Sequence, residues 1–397
     1  MKKIFAIVFL IASAARADDA PQFRGDLGIS KETGLPTTWS GSDGLRWTAD
    51  LPGKGLSNPV IAGGRVYVSA TSAYQQKREV VLCFDAKSGK KLWERQVWGT
   101  GTTLCHPKTN MAAPTPITDG ERVYALFATG DFVCYDKDGD LVWYRSLVGD
   151  YPTVGNNVGM AASPTIWNDL ILVSMENAGE SFAAGIDKRT GENRWRVQRP
   201  RGIHWSTPVI VQNKDQADLV CQGGGDITGY DPNTGKKKWS FTSASFSRYT
   251  SPTTGAGIVY AAGEKFVALK PGSPTKEPAI VWQSLKLKPG SCSPIAHQGF
   301  VYVVTNNGVV NCADVKTGDI VWTHRLEAGA IAASPMLAEG RLYVLHEKGA
   351  TSVLQLGSEP KLLGVNKIDD TFLATPVASD RAIFLRSDTK LYCVGKK

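Results

Sequence analysis

The run Cys312-Ala313-Asp314-Val315-Lys316-Thr317-Gly318-Asp319-Ile320-Val321-Trp322 decides the fold. A small residue ends one apolar stretch, and an aspartate opens a turn because its side chain bonds its own backbone. Glycine supplies the left-handed conformation the turn needs, and a β-branched pair then leads to tryptophan. The same small-x-Asp-x-x-x-Gly-x-x-x-Trp spacing occurs at Cys83, Asp85, Gly89 and Trp93, at Gly185, Asp187, Gly191 and Trp195, and at Gly229, Asp231, Gly235 and Trp239. Cys134, Asp136, Gly139 and Trp143 form a version one residue shorter. The turn before Trp282 is rebuilt as Pro271-Gly272-Ser273-Pro274, and a further unit carries Leu363 where the tryptophan belongs.

Working outward, each unit begins with a proline after a small or polar residue: Pro59, Pro116, Pro164, Pro208, Pro252, Pro294, Pro335 and Pro376. Their spacings are 57, 48, 44, 44, 42, 41 and 41 residues, a period typical of propeller blades or solenoid repeats. Short β-branched and aromatic runs such as Val66-Tyr67-Val68, Val301-Tyr302-Val303 and Leu342-Tyr343-Val344 follow a turn in each unit and read as strands. Four strands per period without helical periodicity describe a propeller blade. The last unit stops after three strands, while residues 44–53 around Trp47 look like a fourth strand without its first three. The expected fold is all-β: an eight-bladed β-propeller of four-stranded antiparallel blades, with the N-terminal strand completing the last blade and removing an exposed edge. Residues 1–17 read as a signal peptide, 18–43 as a leader packed on the ring, and 44–397 as the propeller.

The signal-peptide reading rests on Lys2 and Lys3, the apolar Ile4 to Ile11, and the Ala15-Arg16-Ala17 cleavage pattern. It predicts a periplasmic or secreted protein, cleaved after Ala17. The apolar run is too short for a membrane span, and the first cysteine is Cys83, so no lipid anchor is expected. Removing Lys2, Lys3 and Arg16 lowers the formal charge from +8 to +5. The remaining charges are dispersed, which argues against a nucleic-acid partner. Cys83, Cys134, Cys312 and Cys393 share the small position opposite a tryptophan; in different blades they are too far apart to pair. No Cys-x-x-Cys or His-x-x-x-His ligand pair and no serine nucleophile elbow occurs.

The eleven-residue pattern resembles the tryptophan-docking repeat of the pyrroloquinoline-quinone (PQQ) type β-propellers, over roughly residues 44–397. The resemblance implies that Trp47, Trp93, Trp143, Trp195, Trp239, Trp282 and Trp322 dock between neighbouring blades. By length, blade count and repeat type the chain also resembles the BamB-type component of the outer-membrane β-barrel assembly machinery. That likeness implies a non-catalytic interaction scaffold whose partner is a protein or another cell-envelope ligand. The alternatives are a PQQ-dependent dehydrogenase and a propeller that binds a glycan or small ligand. A PQQ enzyme needs calcium held by hard oxygens, for which Glu176 and Asn177 are the one tempting pair. The alcohol-oxidising members also carry adjacent cysteines, which are absent here. No cofactor or metal is therefore expected.

Function is sought where the repeat breaks symmetry. The gap from Trp93 to Pro116 is 23 residues and from Trp143 to Pro164 is 21, against an ordinary 13. A longer turn also occurs around Ala73 to Arg78. In an up-and-down blade these connections share one face, and long loops on a rigid scaffold are the usual place for binding. The candidate binding face comprises His106, Asn156, Asn157, His204, Trp205, Arg248 and Tyr249.

Overall fold

A computed structural model describes residues 19–396 except 42, 156, 214 and 215. The proposed signal peptide and Asn156 lie outside the described residues. The chain forms eight four-stranded antiparallel sheets. Val60–Ala62, Arg65–Ser72, Arg78–Asp85 and Lys91–Trp98 make blade 1, numbered from the channel outward. Blades 2 to 7 follow at 117–146, 165–198, 209–242, 253–284, 295–325 and 336–367. Blade 8 contains Val377–Ser379, Ala382–Arg386 and Lys390–Val394, and Leu45–Asp50 pairs antiparallel with its third strand, placing Trp47 opposite Cys393. The expected closure by an N-terminal strand is what the structure contains.

Apolar side chains form eight clusters, one at each blade interface. The repeated motif locks these interfaces. Trp93 donates its indole N–H to the Lys137 carbonyl of the next blade's turn at 2.8 Å, and Trp143, Trp195, Trp282 and Trp322 do the same with Lys188, Pro232, Val315 and Gly357. Trp47 completes the series with Ala86 of blade 1. Trp239 differs because the turn it faces in blade 5 is the rebuilt one; it donates instead to Asp218 of its own blade. The motif glycine has two reasons to be glycine. At Gly235 φ is +71°, and a Cβ there would meet the Trp195 ring at 2.5 Å.

The leader crosses the lower face. Ala20 pairs with Ile61 of blade 1, Thr118 of blade 2 donates to Pro21, and Ile29 bridges to Leu337 of blade 7. Leu35 and Trp39 are buried among Met336 and Tyr343 of blade 7 and Ile383 and Tyr392 of blade 8. That seam is the one where Leu363 replaces the tryptophan, so the leader supplies the missing indole.

A second device closes the ring from inside. The residue before each anchor proline accepts, through its side-chain oxygen, the backbone N–H of its counterpart in the preceding blade. The series runs Asn58, Thr115, Ser163, Thr207, Ser251, Ser293, Ser334, Thr375 and back to Asn58, with lengths of 2.9 to 3.1 Å. Buried amides need partners, and here each is satisfied by the neighbouring blade.

Candidate binding face at the channel mouth

Each inner strand starts at the upper face, so the turns between second and third strands and the blade-to-blade connections all gather there. The two long connections touch each other, since His106 donates its backbone N–H to Val158. The second is in turn held by Trp205, whose indole donates to Gly159 at 2.9 Å. Trp205 packs against Tyr249 with ring centroids 5.3 Å apart. From the first connection Lys108 reaches across the mouth to Glu347 in blade 7, 3.3 Å away. Loops from blades 1 to 4 therefore form one continuous surface, pinned to the far side of the ring.

Beneath it lies a cavity of about 380 Å³. His106, Lys108, Trp205, Tyr249 and Glu347 line its upper part, the Ser/Thr/Asn ring its wall, and Phe23 of the leader reaches it from below. Three of the residues singled out from sequence, His106, Trp205 and Tyr249, thus meet at one cavity. Asn157 is exposed on the second connection. Arg248 is exposed and does not line the cavity; its backbone carbonyl accepts from Trp205. His204 points away: it is buried against Gly202 and Gly224. Burial and then the charges of Arg248 and Arg199 lower its pKa, with Asp226 opposing them. Successive side chains of an extended segment alternate in direction, so Trp205 faces the cavity and His204 the blade.

Glu176 and Asn177 do not offer a calcium ligand set. The Glu176 carboxylate is buried and paired with Arg199 at 2.7 Å, and Arg199 also holds Asp226 at 2.7 Å. Burial pushes the Glu176 carboxyl up and Arg199 pulls it back. The Asn177 amide is spent on its own turn, donating to Met175 and Glu180 and accepting from Gly155 and Gly179. Among the described residues no group of three or more His, Cys, Asp or Glu side chains is placed to hold a metal. The seven cysteines are free thiols, six of them buried. Glu176 and Asn177, the pair that PQQ chemistry would use to hold calcium, are therefore both engaged elsewhere.

The outer rim includes the longer turn around Ala73 to Arg78 expected from the sequence. In the turn after the second strand of blade 1, Ala73, Gln75 and Gln76 all have positive φ, of 63°, 54° and 59°. Such backbone is strained for residues with a Cβ and persists where surroundings hold it. Here Gln76 accepts from the Met111 amide, and Gly99 donates to the Lys77 carbonyl. The turn displays Tyr74 at 82% exposure; Trp98, which ends the outer strand of the same blade opposite Arg78, is 58% exposed, and Leu104 on the connection that follows is 59% exposed.

A family profile described as outer membrane protein assembly factor BamB, of the PQQ-repeat type, matches residues 24–179, 77–269 and 274–359 in overlapping passes. The chain belongs to this family. The outer membrane protein assembly factor BamB of Burkholderia pseudomallei is 24% identical over 364 residues, covering 87% of this chain and 86% of that protein. Among solved structures, BamB from Moraxella catarrhalis superposes with a TM-score of 0.66 at 14% identity, over 89% of this chain and 97% of that one. A europium-containing methanol dehydrogenase superposes with a TM-score of 0.72 at 12% identity, over 96% and 98%. At such identities the structural likenesses establish the shared propeller fold; fold does not fix function.

Proposed function

We propose that this family member is a non-catalytic propeller of the cell envelope, periplasmic or secreted, that holds a partner protein on its upper rim. The observation that carries the reading is the strained turn that exposes Tyr74 on blade 1, whose outer strand and following connection also expose Trp98 and Leu104. Exposed aromatic and aliphatic side chains fixed on a rigid scaffold are what an interface core requires. The family's assembly-factor description supports a protein partner. No helix among the described residues is long and apolar enough to cross a membrane.

The dehydrogenase reading is weaker because Glu176 and the neighbouring Asp226 are both engaged by Arg199, and the Asn177 amide is spent on its own turn. The test is a spectroscopic titration of the purified chain with PQQ and calcium, alongside a dye-linked alcohol oxidation assay. Neither saturable binding nor turnover is expected. Saturable binding with turnover would overturn the proposal.

A further inference from the structure

The channel wall carries hydrogen-bond donors without acceptors. In the closed ring each side-chain oxygen already accepts a backbone amide from the preceding blade. A hydroxyl in that position still has its proton to donate, and the seven ring hydroxyls have no protein acceptor among the described residues. Asn58 makes the case more sharply. It is 2% exposed, its Oδ1 accepts from Thr375, and its buried Nδ2 has no partner.

Two buried cations flank this ring. Arg386, 1% exposed, donates Nη1 to the carbonyl of Ser57, the residue before Asn58, while its Nε and Nη2 are unpartnered. Arg24 donates Nη2 to the carbonyl of Pro294, the residue after Ser293, and its Nε and Nη1 are likewise unpartnered. Neither is among the chain's ion pairs between described residues. Burial lowers both guanidinium pKa values, with only Asp388 and Cys292 respectively opposing. An arginine nevertheless keeps its proton at neutral pH. Buried charge is costly unless it is compensated. Glu347, the one carboxylate lining the cavity, is engaged by Lys108.

We propose that the central channel is a binding site for a small oxyanion, of the sulfate, phosphate or carboxylate class, held by the ring donors about Asn58 in the field of Arg386 and Arg24. The cavity is open at the mouth and backed by Phe23, so the anion enters from the upper face and stops above the leader. An acceptor-rich, negatively charged ligand answers the donor ring directly; the two guanidinium groups lie behind the cavity wall and act on it through their charge alone. The site is independent of whatever partner the rim holds.

The test is equilibrium dialysis of the full chain from residue 18 with radiolabelled sulfate, at ionic strength fixed with sodium chloride. One saturable sulfate per chain is expected. Asn58→Asp keeps the Oδ1 that accepts from Thr375 but brings a fixed negative charge to the ring; it should weaken sulfate binding about tenfold or more. Its thermal midpoint should stay level or rise, because the carboxylate supplies the missing counter-charge. Ser251→Ala, across the ring, removes one donor together with the acceptor of the Thr207 amide; it should weaken binding several-fold while circular dichroism shows the ring still folded, which keeps the test valid if the first variant fails to fold. Absence of saturable binding, or binding that neither folded variant weakens, would overturn the proposal.

Discussion

Glu79 lies sealed beneath the connection leaving blade 1, fully buried and close enough to Gly99 that a Cβ there would meet its Oε1 at 3.0 Å. Burial and then the charge of Asp131 push its carboxyl up to about 9, against a smaller pull from the Thr129 hydroxyl. The sign follows from linkage. The folded chain keeps this proton while the unfolded chain releases it above about 4.5, so stability is greatest below that pH and falls as pH rises towards 9. Glu79→Gln should therefore raise the denaturant midpoint at pH 8 and leave it nearly unchanged at pH 4. Equal effects at both pH values would show that the carboxyl is ionised in the fold.

At this same scale the sequence reading was uneven. The motif aspartates were legible, and Asp187, Asp231 and Asp314 each accept two backbone amides of their own turn. The polar residue before each proline was visible as a repeat, but its role was not, because its partner lies a whole blade away in the chain. Arg24 and Arg386 gave no signal, since nothing in a lone arginine tells that it is buried.

The leader is the element whose role depended most on the structure. The leader contains a tryptophan outside the repeat, Trp39, and the sequence already showed a repeat lacking its tryptophan at Leu363. Linking them requires knowing that residues 35–39 run along the seam between blades 7 and 8, where the Trp39 backbone amide also donates to the Asn366 side-chain oxygen at 2.7 Å. Trp39→Ala should cost about 3 kcal/mol, as for a large core side chain lost to a cavity. Chemical denaturation measures this; a midpoint that does not move would mean that the seam closes without the leader. The strands themselves were legible because turn, period and tryptophan register agree in nearly every blade. The rebuilt turn before Trp282 changed one interblade bond, that of Trp239, and left the sheet order intact.

At the scale of the whole molecule, regularity and function divide the two faces. The lower face carries repeated Asp–Gly turns and the leader, and its contacts are those that hold blades together. The upper face gathers both long connections, the Lys108–Glu347 link across the mouth and the apolar rim of blade 1. Insertion length pointed to this face from sequence alone, because loop spacing survives without coordinates. The particular side chains were less legible: the turn holding Tyr74 and the connection that begins at Trp98 were visible as insertions, their strain and exposure were not, and His204 drops out once the strand direction is fixed. Site-specific photo-crosslinking in the native cell envelope tests the central claim most directly, with the crosslinker placed at Tyr74 or Trp98 on the upper rim and at Asn233 or Lys316 in lower-face turns. The account predicts one discrete protein adduct from the upper positions and none from the lower. Adducts confined to the lower turns, or absent from every position in a folded chain, would contradict it.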